Sequence, residues 1–322
     1  MAGARIRPSV VGVIDVHELT KRYGGKRAVD GLSFTVRPGR VTGFLGPNGA
    51  GKSTTMRMIL GLDSPTSGRA LIGGRPYGEL RAPLRTVGSL LDAKGVHGGR
   101  SAHAHLAGLA AATGIARGRV DAVLETVGLD PATARKRAGG FSLGMGQRLG
   151  IAAALLGDPE VLILDEPVNG LDTEGIRWIR DLMRSLAAQG RTVFLSSHLM
   201  SEMELTADHL VVIGRGRLLA DMPMREFIER HSTSRTLVRA AEERDAPRTR
   251  AVLESAGARV EPDARGGWLV EGLDAAAIGG LALAHGVALR ELTPRLASLE
   301  DVYTAMAASS AEYTSERAGV AS

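Results

Sequence analysis

The sequence contains no cysteine, which excludes disulfide bonds, thiolate zinc sites and cysteine nucleophiles. It also lacks a long hydrophobic run, because its longest weakly apolar stretch, Ala275 to Leu289, is interrupted by glycines and a histidine. A helix that spans a bilayer needs about 20 apolar residues. The first residues, Met1 to Pro8, do not show the charged and then apolar pattern of a secretory signal. We therefore expect a cytoplasmic protein, for which any membrane role would come through a partner.

Aromatic residues are scarce and positive charge is not clustered. The chain has five Phe and four Tyr, a net charge of +5 and no run of five or more basic residues. Surfaces that bind nucleic acid usually combine clustered basic residues with aromatic side chains for stacking. We therefore predict a mixed, solvated surface and no nucleic-acid partner. A hydrophobic content of 44% and a charged content of 23% over 322 residues are typical of a globular protein with one large and one smaller domain.

Apolar strands alternate with helical segments through most of the chain. Val161 to Leu164 is fully apolar, as expected of a strand buried on both faces, and Thr192 to Ser196 and His209 to Ile213 repeat the pattern. Such alternation predicts an α/β fold with a parallel sheet covered by helices. The other predicted elements are strands at Ile14 to Val16, Leu32 to Val36 and Val41 to Leu45, and helices at Lys52 to Leu62 and Glu174 to Ala188.

The pattern changes after Leu219, where short strands and helices predict a small α+β domain of order βαββαβ. We place the first domain at residues 1–221, with a helical insertion at about 93–150. The second domain covers 222–308, and 309–322 is predicted to be a disordered tail because it is small and polar. The predicted elements of the second domain are strands at Thr236 to Ala241, Arg259 to Glu261, Trp268 to Glu271 and Val287 to Leu292, and helices at Ala246 to Ser255, Ala275 to Ala284 and Leu299 to Ala307.

A glycine-rich segment between a predicted strand and a predicted helix matches the phosphate-loop pattern GxxxxGK[ST]. Glycines in this context let successive backbone N–H groups turn around a phosphate at a helix N-terminus. Lys52 is expected to contact the β- and γ-phosphates, and Ser53 to offer its hydroxyl to Mg²⁺. The predicted phosphate-binding residues are Gly46, Pro47, Asn48, Gly49, Ala50, Gly51, Lys52, Ser53 and Thr54.

An acidic pair, Asp165 and Glu166, directly follows the apolar strand Val161 to Leu164. Ligands of α/β folds bind at the carboxyl ends of the strands. Asp165 is suited to hold Mg²⁺ through water, and Glu166 to polarise an attacking water. Together with the phosphate loop, the pair predicts a site that binds and hydrolyses a nucleoside triphosphate.

Six elements in the order of the family make the chain resemble the ATP-binding subunit of an ABC transporter over about residues 13–220. Besides the phosphate loop and the acidic pair, residues 141–148 read FSLGMGQR where that family carries its LSGGQ signature. Residues 169–172 read NGLD and resemble the D-loop, which ends at Asp172. His198 matches the switch histidine, and Tyr23, with Val29 beside it, matches the aromatic residue that stacks on adenine.

The resemblance implies that two such domains close head to tail, with ATP and Mg²⁺ held between one phosphate loop and the other signature. Lys52, Glu166 and His198 then form the catalytic set. The implied partners are a second ATP-binding subunit, with a homodimer expected, and separate multi-helix membrane subunits at the cytoplasmic face of the membrane. The signature residues expected to bind the ATP of the partner are Ser142, Leu143, Gly144 and Met145.

Two departures from the family pattern resemble the branch of bacterial drug and antibiotic exporters. Leu143 and Met145 replace a glycine and a glutamine of the signature, and Asp92 stands where the Q-loop glutamine is expected. The carboxylate of Asp92 still offers a hard oxygen donor to Mg²⁺. A C-terminal extension with the sequence LEDVY at 299–303 also resembles this branch. The departures favour export of a hydrophobic or amphipathic compound, such as a drug, an antibiotic or a lipid-like molecule.

Three other readings remain open: an importer motor, a soluble ABC ATPase that acts on ribosomes or nucleic acid, and an ATPase that serves as a resistance or regulatory factor without a transporter. The single phosphate loop argues against the two-site ribosomal proteins. The lack of sustained heptads between Lys52 and Phe141 argues against the DNA-acting proteins with coiled coils. His97, His103 and His105 form a histidine cluster, which we interpret as a solvated helical face because no cysteine or paired carboxylate supports a metal site.

Overall fold

The computed structural model describes residues 12–92, 95–231, 235–264, 266–295, 298–300 and 302–303. The chain divides into two compact units, Met1–Met224 and Arg225–Ser322. The division falls three residues beyond the boundary expected from the sequence. Among the described residues, no helix has the length and apolar character needed to cross a membrane. The predicted tail, 309–322, lies outside the described residues.

The first unit contains two sheets and the helices that cover them. Its strands are β1 (Ile14–Tyr23), β2 (Lys26–Val36), β3 (Val41–Leu45), β4 (Ser67–Ile72), β5 (Val87–Leu90), β6 (Val161–Leu164), β7 (Thr192–Ser196), β8 (His209–Gly214) and β9 (Arg217–Pro223). Its helices are α1 (Lys52–Ile59), α2 (Pro83–Thr86), α3 (Ala102–Thr113), α4 (Gly118–Thr126), α5 (Pro131–Ala134), α6 (Leu143–Leu155), α7 (Thr173–Ala188) and α8 (Met200–Thr206), and α9 (Met224–His231) begins at the boundary.

The larger sheet has the strand order β5-β6-β7-β3-β8-β9. The strands from β5 to β8 are parallel, and β9 pairs antiparallel with β8. The parallel sheet expected from the sequence therefore carries one antiparallel strand at this edge. The smaller sheet, β2-β1-β4, is antiparallel. Phe34 of β2, Phe44 of β3 and Phe194 of β7 pack ring to ring with centroids 5.1–5.8 Å apart, and these buried rings join the two sheets.

Side-chain caps fix where the helices near the predicted site residues begin. Ser142 accepts a hydrogen bond from the N–H of Met145 at the start of α6, and Asp172 accepts one from Gly175 at the start of α7. Helices α3, α4 and α5 lie within the predicted helical insertion, and residues 93–94 of that insertion are outside the described residues. Helix α1 ends at Ile59 rather than Leu62, because Gly61 takes a positive φ of 64°.

The second unit has the predicted order βαββαβ. Its strands are β10 (Arg235–Ala240), β11 (Arg259–Pro262), β12 (Trp268–Glu271) and β13 (Leu289–Arg295), and its helices are α10 (Ala246–Ser255) and α11 (Ala275–Ala284). The strands form an antiparallel sheet of order β11-β12-β10-β13, the arrangement of a split βαβ fold. The last strand starts two residues later than expected. Of the predicted final helix, residues 299, 300, 302 and 303 are described, and they are helical.

Candidate active site

The phosphate loop lies between β3 and α1, at the carboxyl end of the parallel strands. Gly51 directly precedes Lys52, the first residue of α1, and has a φ of 107°. A Cβ atom at Gly51 would lie 2.5 Å from the carbonyl oxygen of Ala28. Both the backbone angle and the close approach of β2 therefore require glycine here. The loop presents the N-terminus of α1 to the space in front of it, as phosphate binding requires.

Lys52 carries a buried ammonium group within this loop. The residue is 7% exposed, and its Nζ donates hydrogen bonds to the carbonyl oxygens of Gly46 at 2.6 Å and Pro47 at 3.4 Å. Burial lowers the pKa of the Lys52 ammonium, and the nearby Glu166 and Asp165 carboxylates oppose that effect. A desolvated cation interacts strongly with an anion that reaches it, so Lys52 is placed to bind phosphate oxygens.

Ser196, at the end of β7, joins the two acidic residues at the end of β6. Its Oγ donates a hydrogen bond to Oδ1 of Asp165 and accepts one from the N–H of Glu166 at 3.0 Å. The N–H of Asp165 in turn donates to the carbonyl oxygen of Leu90 in β5 at 2.7 Å. Ser196 is fully buried. It was not singled out from the sequence, because a serine that ends an apolar strand carries no distinctive signal.

Glu166 and His198 contact each other directly. Oε2 of Glu166 lies 2.7 Å from Nδ1 of His198 and accepts a hydrogen bond from the backbone N–H of His198 at 3.2 Å. Glu166 has a φ of 51°, a left-handed conformation that few residues other than glycine adopt. Strained backbone of this kind persists where surrounding contacts fix it and is concentrated at functional sites.

A cavity of about 380 Å³ brings most of the predicted nucleotide-binding residues together. Tyr23 stands at the cavity and is 51% exposed, with its hydroxyl donating to Asp63 at 3.2 Å. A ring with half of its surface free can stack on a flat apolar group such as adenine. The residues that line the cavity are Tyr23, Lys26, Ala28, Pro47, Asn48, Gly49, Gly51, Lys52, Ser53, Thr54, Asp165 and Glu166.

Val29 and Asp92 do not line this cavity. Val29 is fully buried in the core of the first unit, and its neighbour Ala28 takes the place predicted for it. The two neighbours differ in this way because alternate residues of β2 face opposite sides. Asp92 lies just beyond the end of the edge strand β5. Ser53 and Asp165, two of the residues predicted to bind Mg²⁺, do line the cavity.

The signature residues lie at the start of α6 and outside this cavity. Leu143 is 53% exposed, and its side chain covers Gly170, where an added Cβ would lie 2.3 Å from Cγ of Leu143. A Cβ atom on Gly144 would lie 2.8 Å from the carbonyl oxygen of Gly170. The signature therefore packs on the D-loop of its own chain. Asp172 serves as the cap of α7, with Oδ1 at 2.8 Å from the N–H of Gly175.

The histidine cluster does not form a metal site among the described residues. In those parts of the chain, no group of three or more His, Cys, Asp or Glu side chains could hold a metal ion. Nε2 of His103 lies 3.6 Å from Asp121, across the surface of the helical region. His103 and His105 lie on α3, whereas His97 lies in the loop before it, and His105 is partly buried.

Comparison with known protein families finds one family model that matches part of the first unit and another that matches part of the second. A model described as ABC transporter matches residues 29–169, and one described as a domain of unknown function, DUF8746, matches residues 234–300. The bacitracin transport ATP-binding protein BcrA of Bacillus licheniformis is 46% identical over 222 residues, which cover 68% of this chain and 72% of that protein. The Nod factor export ATP-binding protein I of Burkholderia pseudomallei is 39% identical over 224 residues, which cover 68% of this chain and 73% of that protein.

A solved structure supports the fold of the first unit. It is described as the dimeric structure of a post-hydrolysis state of the ATP-binding cassette MJ0796 bound to ADP and Pi. It aligns with a TM-score of 0.60 and 21% identity, over 66% of this chain and 99% of that chain. At this identity the likeness concerns the fold alone.

Proposed function

This chain belongs to the ATP-binding proteins of the ABC transporter family and is an ATPase of that family, and we propose that it powers the export of a hydrophobic or amphipathic compound. The observation that carries the proposal is the cavity in which the phosphate loop faces Asp165 and Glu166, in a chain 46% identical to a bacitracin transport protein. Drugs, antibiotics and lipid-like molecules are the proposed classes of cargo.

Each residue at the cavity has a definite task in this proposal. The N-terminus of α1 and the buried Lys52 bind the phosphates of ATP, and Tyr23 stacks on the adenine. Glu166 accepts a proton from the attacking water, and His198 orients the Glu166 carboxylate through their 2.7 Å contact. The hydroxyl of Ser53 and the carboxylate of Asp165 suit Mg²⁺, which when bound neutralises phosphate charge during hydrolysis.

A second copy of the chain completes each site in this proposal. Ser142 and Gly144 begin a helix whose N-terminal N–H groups suit an anion, yet they do not line the cavity of their own chain. We propose a head-to-tail homodimer in which these residues, with Leu143 and Met145, bind the γ-phosphate of the ATP held by the other copy. The structurally similar cassette MJ0796 is also described as dimeric.

The transport step belongs to separate multi-helix membrane subunits in this proposal. Closure of the ATP-bound dimer moves those subunits, and hydrolysis resets them. The chain accordingly works as a peripheral protein at the cytoplasmic face of the membrane. Export is preferred to import because one of the relatives is named for Nod factor export. The transport names of both relatives also disfavour a ribosomal or nucleic-acid role.

Deletion of the gene is expected to raise the sensitivity of the host to at least one compound in a panel of hydrophobic and amphipathic antibiotics that includes bacitracin. The wild-type chain should restore growth, and the Glu166→Gln variant should not, because export requires hydrolysis. The Glu229→Gln variant is the matched control, since Glu229 is exposed and pairs with Arg225 one helical turn away. Unchanged sensitivity across the panel, in inhibitory concentration and in compound retained by cells, would contradict the export function.

A further inference from the structure

Gln147 connects the signature helix to the backbone of Glu166 within the same chain. The side chain is 3% exposed, and its Nε2 donates a hydrogen bond to the carbonyl oxygen of Glu166 at 3.2 Å. Gln147 lies on α6, little more than one helical turn after Ser142. We propose that Gln147 is a positioning residue, which holds Glu166 in its catalytic orientation and ties that orientation to the signature helix.

The conformation of Glu166 needs support from its surroundings. A left-handed φ, here 51°, is unfavourable for a residue with a side chain. Three groups hold the peptide units on either side of Glu166. Ser196 Oγ accepts from its N–H at 3.0 Å, while its carbonyl oxygen accepts from the N–H of Asn169 at 3.2 Å and from Gln147. Gln147 is the one among them that lies on the signature helix.

A second contact joins the same two segments. The side chain of Leu143 covers Gly170 and leaves no room for a Cβ atom there, and a Cβ atom on Gly144 would lie 2.8 Å from the carbonyl oxygen of Gly170. The first turns of α6 therefore meet the loop from Glu166 to Gly170 at both of its ends. Leu143 contacts one end of the loop and Gln147 contacts the other. Because packed segments shift as units rather than deforming continuously, the first turns of α6 and the loop from Glu166 to Gly170 then move together.

This connection places one chain in contact with both ATP sites of the dimer, an inference that rests on the proposed head-to-tail arrangement. The signature of a chain contacts the ATP of the partner, whereas its Glu166 acts on its own ATP. Movement of α6 when the partner's ATP engages Ser142 is then passed through Gln147 to the Glu166 peptide. Loss of the Gln147 side-chain amide should misplace Glu166 while leaving the phosphate loop and Tyr23 unchanged.

Gln147→Leu and Gln147→Glu are expected to lower kcat for ATP hydrolysis at least about ten-fold, with KM for ATP changed less than about three-fold. Glutamate keeps the volume, and when it is ionised it cannot donate a hydrogen bond to the Glu166 carbonyl. Because burial raises the pKa of this carboxyl, kcat is compared over a range of pH, and the values at high pH test the bond rather than the packing. Gln189→Leu, at the exposed end of α7, is the matched control. An unchanged kcat in Gln147→Glu, or a raised KM with unchanged kcat, would overturn the proposal.

Heterodimers distinguish two roles for Gln147. It could position Glu166 of its own chain, as proposed, or it could support the signature that contacts the ATP of the partner. One copy carries Glu166→Gln, so that only the other copy hydrolyses its ATP, and the rate is measured over a single turnover. The reference heterodimer has Gln147 in both copies. Relative to it, we expect slow hydrolysis when the copy that keeps Glu166 also carries Gln147→Leu. We expect the reference rate when Gln147→Leu is in the copy that carries Glu166→Gln. The reverse pattern would overturn the proposal and assign Gln147 to the signature. Since purified protein suffices, a failure of the export function leaves this result unaffected.

Discussion

Replacing Glu166 with glutamine is expected to slow ATP hydrolysis by about 10²–10⁴-fold, the usual contribution of a general base, while ATP still binds. Glutamine has the size of glutamate and can keep a hydrogen bond to His198, but an amide does not accept a proton from water at neutral pH. The phosphate loop and Lys52 are unchanged in this variant. Phosphate release and retained nucleotide, measured on the same purified protein, give the two readouts.

The Glu229→Gln control should hydrolyse ATP at the rate of the wild type. Turnover of Glu166→Gln within about three-fold of the wild type would show that another group accepts the proton. Loss of ATP binding together with hydrolysis would instead show that Glu166 supports the nucleotide-binding cavity itself.

Replacing Lys52 with methionine is expected to weaken ATP binding by about 10–100-fold, since a hydrogen bond to a charged group contributes about 1.5–3 kcal/mol. Methionine keeps most of the volume of the buried lysine stem and removes its charge. The buried ammonium donates hydrogen bonds to the loop carbonyls and is influenced by the charges of Asp165 and Glu166, whereas Lys26, another cation that lines the cavity, is exposed. Titration with a fluorescent ATP analogue measures the dissociation constant.

Lys136→Met is the matched control for this prediction, because Lys136 is exposed in the helical region and does not line the nucleotide cavity. The control should bind the analogue like the wild type, with the same melting temperature. Equal dissociation constants for Lys52→Met and the wild type would contradict the assignment of the phosphate loop.

The parts of the site that the sequence predicted are short contiguous motifs. The phosphate loop, the pair Asp165 and Glu166, and the predicted βαββαβ order depend on local patterns such as glycine spacing and apolar strand ends. Which residue of β2 faces the cavity is harder to predict from the sequence than the motifs are. Side chains of a strand alternate between its two faces, so an error of one residue exchanges a core position for one at the cavity, which Ala28 occupies.

The parts that the sequence did not predict depend on contacts between distant segments. Strand β9 is mostly exposed and lacks an apolar run, and its place in the sheet follows from pairing with β8. Ser196 and Gln147 belong to the site only because β7 and α6 bring them to Glu166. Neither residue type is distinctive alone, so only the fold reveals their contacts.

The most direct test of the export function is to express Glu166→Gln in its own host, trap it with ATP, purify it in mild detergent and identify the proteins that accompany it. The account predicts recovery of one multi-helix membrane protein at near one-to-one stoichiometry, dependent on ATP and absent with Lys52→Met. Recovery of ribosomes or nucleic acid instead, with no membrane protein, would contradict the export function while leaving the ATPase assignment in place.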